Sequence, residues 1–451
     1  MKTSRARRAS VVSWALVVAA AALLGAVTPA ARSRVASDTA VPGAAREYRV
    51  TSLAELQARI AAAQPGDRII VANGVYTTTG SIKVACRGTA DRPVVIAAET
   101  TGGVEIRGAA GFDVVRPAAH VVLQGFRFTH AIGTVQVRAG TRHCRITRCV
   151  FQLKGKGRYL LVSGDDCEID HNTFQNKRTP GPMFSIHGPG ASGMAQRAHV
   201  HHNLFRDFTS IGQNGGETLQ VGLSGKSLTN AHAVVEYNLF ERCDGENETV
   251  SNKSCANVYR YNTFRDSVGE LTLRHGNRCE VYGNFFLNTH GLRFFGDDHD
   301  IRDNYFERCD PAVQIGNGGT NIPPGVLTGH DRPDRVTFTG NLLVDNPRSV
   351  VMPDRANGMG ALDLLFTANV LQADTGTLFT LGGPLRDARF RDNIVWGSAA
   401  AGDLPATGFR RVEPQLKRSA DGVYRLSLSD DMPAGGLRRP LTTADVGPDA
   451  P

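Results

Sequence analysis

Short runs of alternating apolar and polar residues recur along the chain, each reaching an asparagine and then, two positions later, a phenylalanine. The clearest are EIDHNTF, HVHHNLF, VVEYNLF, VYRYNTF, EVYGNFF and DIRDNYF, with Asn172, Asn203, Asn238, Asn262, Asn284 and Asn304 as the aligned asparagines. Weaker copies centre on Cys149 before them and on Asn341, Asn369 and Asn393 after them. Successive spacings are 23, 31, 35, 24, 22, 20, 37, 28 and 24 residues. The unit is therefore a little over twenty residues long, and the longer intervals fit the same unit carrying an inserted loop. A period of two means strands rather than helices. One strand set per unit, with no helical stretch between, predicts an all-β parallel β-helix whose coils stack about 4.8 Å apart. The asparagines should then form a hydrogen-bonded ladder at one turn, and the phenylalanines a stack in the core. A leucine-rich repeat would need a leucine framework that is missing, and a sandwich would show hairpin turns.

Before the coils, Ser52 can cap a helix with Glu55 three residues on, Leu53, Leu56 and Ile60 form one apolar face, and Pro65-Gly66 ends it. Such a helix would cover the open end of the first coil. The expected organisation is a single β-helix domain over 45–400 and an irregular cap or tail over 401–451. At the amino terminus, MKTSRARRAS precedes the apolar run VVSWALVVAAAALLGAV and small residues. This reads as a signal peptide over 1–31 rather than a membrane anchor, the run being short for a span. The protein is expected to be secreted, with no membrane association after cleavage.

Loss of Lys2, Arg5, Arg7 and Arg8 with that segment would lower the net charge from +8 to +4. A mildly basic exported protein suits an anionic partner. Nucleic acid is a poor candidate, since finger spacings, recognition-helix patterns and aromatic-rich basic strands are missing. Of eight cysteines, Cys144 and Cys167 fall at the same offset in adjacent units, where small buried core residues are the commoner outcome than a disulfide. A monomer is expected.

Chemistry appears when polar residues are placed by their distance from the preceding asparagine. Asn214 lies 11 after Asn203, Glu246 and Glu248 lie 8 and 10 after Asn238, Arg274 lies 12 after Asn262, and Arg293 lies 9 after Asn284. Similar offsets mean one angular sector of successive coils, with Lys253 at its edge, one coil length before Arg274. Glu246 and Glu248 point the same way along a strand. Lys253 falls on the opposite side by strict alternation, so the Ser-Asn before it must turn the chain for it to join. Two carboxylates and an amide oxygen suit a hard cation such as Ca2+; zinc spacing is absent. A plain solvated ion network is the competing reading of each residue taken singly. Together, a cation, an amine and a guanidinium suit β-elimination in a uronic acid. The cation would neutralise the C6 carboxylate, an amine in its neutral form would take the C5 proton, and a guanidinium would stabilise charge.

The stretches NGGETLQVG, CDGENETVSNKS, LTLRHGN and GLRFFGDDHDIRDNYFE resemble polysaccharide lyase family six, the alginate lyases and chondroitinase B, over about Tyr48 to Ala400. The resemblance implies a right-handed parallel β-helix cleaving uronate polymers with calcium. It implies Asn214, Glu246 and Glu248 as calcium ligands, Lys253 as the base and Arg274 as the acid. His275, Arg293 and Lys177 resemble substrate-contacting residues, while adjacent aspartates in GDDHD read as turn residues. The leading expectation is an alginate lyase. Alternatives are a dermatan sulfate or pectate lyase, a non-catalytic glycan-binding β-helix, which would need neither Lys253 nor a metal, and a hydrolase, which would need two carboxylic acids at hydrolytic separation.

Overall fold

Each coil begins with a strand such as His199–His201 or Val258–Arg260, whose central residue is buried and whose neighbours are partly exposed. In the computed structural model, which describes residues 45–191, 193–321, 329–426 and 439–451, such strands stack in register into a parallel sheet of 14. The chain then turns into a second strand, such as Thr263–Ser267, and a third, such as Glu270–His275, and returns to the first sheet one layer on. Those strands form parallel sheets of 14 and 13 members. We call the three the first, third and second sheets, so that one coil visits first, third, then second. This is the parallel β-helix expected from the repeat, right-handed as the resemblance implies. The expected signal segment 1–31 lies outside the described residues.

The turn from first to third sheet explains the repeated asparagine. The residue before it adopts the left-handed conformation, as at Tyr237 (φ 53°) and Tyr261 (φ 56°), an uncommon state for a bulky side chain. The asparagine compensates. Each ladder asparagine from Asn172 to Asn369 donates its backbone N–H to the side-chain oxygen of the next at 2.9–3.1 Å. Asn262 Nδ2 also reaches the carbonyls of Val235 and Arg260. Two residues on, the rings of Phe128, Phe151, Phe174, Phe205, Phe240, Phe264, Phe286 and Phe306 stack with centroids 4.6–5.0 Å apart. Cys144 and Cys167 are buried free thiols.

One α-helix, Leu53–Ala62, occurs among the described residues, capped by Ser52 Oγ accepting from the Glu55 N–H at 3.2 Å. Glu55 returns a bond to the Thr51 N–H. Leu56 and Ile60 are buried against the first coil. Past residue 400 the strands Ala400–Gly402 and Phe409–Arg411 still extend two of the sheets. An antiparallel hairpin, Leu416–Arg418 with Tyr424–Leu426, then folds back, Tyr424 donating its N–H to the Tyr305 hydroxyl. Leu441 and Val446 pack on Leu204 and Leu239.

Candidate active site

The second sheet is regular where it holds only core, and irregular where it carries chemistry. Strand Glu248–Lys253 pairs with Glu270–His275 through two register shifts: Glu248 faces Glu270 but Val250 faces Leu271, and Asn252 faces Leu273 but Lys253 faces His275. Thr249 is thus an extra residue on one strand and Arg274 on the next. Such bulges re-aim side chains. Thr249 shifts the alternation by one, so Glu248 and Lys253, five positions apart, both leave the core. The Ser-Asn turn expected from the sequence is not the device. The strand runs straight through Ser251 and Asn252, and Asn252 points inward to the Ser254 and His275 carbonyls. Glu246 stands in the bend before the strand rather than on it.

On the outer face Lys253 Nζ donates to Glu217 Oε1 at 2.9 Å, and Gln220 Nε2 donates to the same oxygen at 2.8 Å. Glu248 Oε1 accepts from both Arg274 Nη1 and Arg293 Nη2 at 2.7 Å, while its Oε2 accepts from the Ser251 hydroxyl. Arg293 also lies 2.9 Å from Glu270, one coil on. Glu246 Oε2 accepts from the Gly215 N–H at 2.9 Å. The base expected at Lys253 and the guanidiniums of Arg274 and Arg293 therefore surround one carboxylate pair. Ser210, Gln213, Asn214, Glu246, Glu248, Arg274 and Arg293 line an open cleft of about 390 Å3 above it.

Glu217, which the sequence reading passed over, completes the acidic group. Carboxylate oxygens of Glu217, Glu246 and Glu248 lie within 4.8 Å of one another. A signal existed: Glu217-Thr218-Leu219 and Glu248-Thr249-Val250 are matching triplets whose aliphatic members pair in register. Burial, and then the charge of Glu217, push the Glu246 carboxyl up to about 7. Glu217 Oε2 and Glu246 Oε1 are buried without a hydrogen-bond partner. Orphaned oxygens among crowded carboxylates fit a hard, oxygen-seeking cation. Asn214 is exposed on the rim of the same cleft. Glu248, by contrast, already spends both oxygens on Arg274, Arg293 and Ser251. Burial pushes the Glu270 carboxyl up to about 7 as well.

Two substrate-contact expectations fare differently. His275 is buried beside the site, 3.3 Å from Ser224 Oγ and stacked on His330, and burial lowers it to about 3. Lys177 is not brought into the cleft. It is fully buried, its Nζ donating to the Gly157 carbonyl at 2.7 Å beneath the Tyr159 ring, and burial lowers it to about 8. The physical reason is its in-register place beside Phe208 on the third sheet, where the side chain serves to close a loop. In GDDHD, Asp297 and Asp298 occupy the turn, as expected.

Comparison with known proteins gives a consistent result. The family model described as chondroitinase B matches residues 50–351. A variant of the PL6 family alginate lyase AlyGC superposes with a TM-score of 0.80 at 25% identity, covering 89% of this chain and 58% of that one. This chain thus spans under two thirds of that enzyme. A mannuronic acid specific family 6 lyase from human gut microbiota (TM-score 0.68, 23% identity, 82% and 91% coverage) shares the fold. So does a PL6 alginate lyase in complex with a trisaccharide (TM-score 0.73, 19% identity, 90% and 95% coverage). No curated protein matches the chain in sequence.

Proposed function

The chain belongs to the chondroitinase B family of polysaccharide lyases, within polysaccharide lyase family six, and from that premise we propose that it cleaves a uronate polymer, alginate foremost, by β-elimination. The observation that carries this reading is Lys253 bonded to Glu217, one of three crowded carboxylates, of which Glu246 and Glu248 line one cleft together with Arg274 and Arg293. Lys253, once its ammonium proton has passed to solvent, takes the C5 proton of the sugar acid. The electrons of that C–H bond become the C4=C5 double bond, and the C4–O bond breaks toward the glycosidic oxygen. Arg274 stabilises the charge on the substrate and relays a proton through water to that leaving oxygen. Arg293, anchored by Glu248 and Glu270, binds a substrate carboxylate, while His275 is proposed to act on the substrate only from its buried place beside the site.

Glu217, Glu246 and Asn214 would hold Ca2+, with Glu248 sharing it against the arginines. Bound there, the ion would neutralise the sugar carboxylate and so make the C5 proton easier to remove. Residues 1–31 are proposed to export the chain. No helix among the described residues is long and apolar enough to cross a membrane.

The test is to incubate the protein with alginate, dermatan sulfate and pectate and follow the ultraviolet absorbance of the new conjugated uronate. Alginate is expected to give the signal, and chelation to remove it. No signal from any polymer would sink the lyase reading. Dermatan sulfate is the second reading, favoured by the description of the matching family.

A further inference from the structure

A second recess opens at the corner where the second sheet turns back to the first, near the amino-terminal end of the stack. Arg87, Ala119, Arg142 and Asp165 occupy one register position on four successive coils. The alanine is small, and Pro117, Ala118, Gly140 and Thr141 add little bulk around it. What remains is a notch of about 370 Å3 bordered by the side chains of Arg87, Arg116 and Arg142. All three arginines are exposed.

Their lack of partners contrasts with arginines on the faces beside them. On the neighbouring faces Arg138 pairs with Asp113, Arg145 with Asp170, Arg197 with Asp166 and Arg260 with Glu236. Among the described residues, Arg87, Arg116 and Arg142 form no ion pair. Asp165, the single carboxylate on the rim, is engaged by the Gln196 N–H at 2.9 Å. Among the residues lining the notch, three guanidiniums stand against one carboxylate, while Asp166, just outside it, also feels the charge of Arg142. Guanidinium forks match carboxylates in geometry.

The notch also lies on the edge of the molecule that carries Lys253. Arg87, Arg116 and Arg142 follow the strands Ile82–Val84, Phe112–Val114 and Val135–Val137, and Lys253 ends a strand of the same sheet. From Val135–Val137 to Glu248–Lys253 is four strands, roughly 19 Å at a spacing of about 4.8 Å. We propose that this notch is a secondary anchoring site for carboxylates of the same uronate polymer that occupies the cleft. The proposal rests on the uronate reading above. A chain held at both places dissociates more slowly than one held at the cleft alone, because release from one leaves the other engaged. A trisaccharide in the cleft cannot reach the notch.

The experiment uses the whole protein carrying Lys253→Arg, so that binding is read without cleavage. Affinities for long alginate, for a uronate trisaccharide and for long dermatan sulfate are compared with and without Arg87→Ala/Arg116→Ala/Arg142→Ala. The triple variant is expected to bind long alginate about tenfold more weakly at low salt, with the gap closing at high salt, and to bind the trisaccharide unchanged. Equal affinity for long alginate at low salt overturns the proposal, as does an equal loss for the trisaccharide. A loss confined to dermatan sulfate also overturns it, because the notch would then read sulfate esters. Should no polymer be cleaved by the unmodified protein while the triple variant still loses alginate, the lyase reading falls and the notch stands.

Discussion

The asparagine–phenylalanine corner and the outer face of the second sheet are built from the same strands and obey different rules. At the corner, successive coils from Asn172 to Asn304 repeat the same bond and, as far as Phe306, the same ring contact, without a slip of register. On the outer face, two extra residues break the register within one strand pair. There the chain buries carboxylates beside cations and leaves Glu217 Oε2 and Glu246 Oε1 without partners. Regularity gives stability, since each ring and amide is satisfied by its copy in the next layer. Irregularity gives chemistry, since only a break in alternation brings Glu248 and Lys253 to one side.

The largest expected separation of the two regions comes from Lys253→Arg. Arginine keeps a cation beside Glu217 but is a far poorer base, so turnover should fall about 10³-fold, on the order of 4 kcal/mol in the barrier. Thermal melting should be almost unchanged. A variant that keeps its turnover would remove Lys253 from the reaction.

Phe264→Ala should do the reverse. The ring is buried between Phe240 and Phe286, at 4.7 and 4.9 Å, and its loss should cost about 3–5 kcal/mol in a denaturant titration. Turnover per folded molecule should hold. If it collapses at a temperature where the variant is folded, the corner and the site are not separable.

The smallest effect concerns pH. Glu246 is pushed from its ordinary 4.5 to about 7 in the folded protein, so it keeps its proton longer when folded than when unfolded. Its stabilising contribution is complete below 4.5 and is lost as pH rises through about 7. Glu246→Gln carries no such dependence. With chelator present, the variant should melt like the wild type near pH 4 and above it by pH 8. Parallel melting curves across that range would mean the carboxyl is not crowded.

Much of this was legible in the chain. A repeat that carries its own bonding partner, as Asn262 does for Asn238 and Asn284, announces the coil and its corner, and Ser52, Glu55 and the apolar face of Leu53, Leu56 and Ile60 announce the capping helix. The offsets of Asn214, Glu246, Glu248, Arg274 and Arg293 gathered them into one cleft. Lys177 misled because a lysine in a polar loop gives no sign that Tyr159 and Phe208 will close over it. Glu217 went unseen because its meaning lies in pairing with the next coil. The bulges at Thr249 and Arg274 leave no mark in composition.

The sequence alone therefore determined the winding, because a period of two and a repeated asparagine are local properties that any coil of this length must satisfy. Only the tertiary structure decided which side chains meet across layers: the Lys253–Glu217 pair, the two arginines on Glu248 and the three unpaired arginines around Ala119. Those contacts depend on register between strands about twenty to forty-five residues apart, and one extra residue in either strand reverses which way a side chain points.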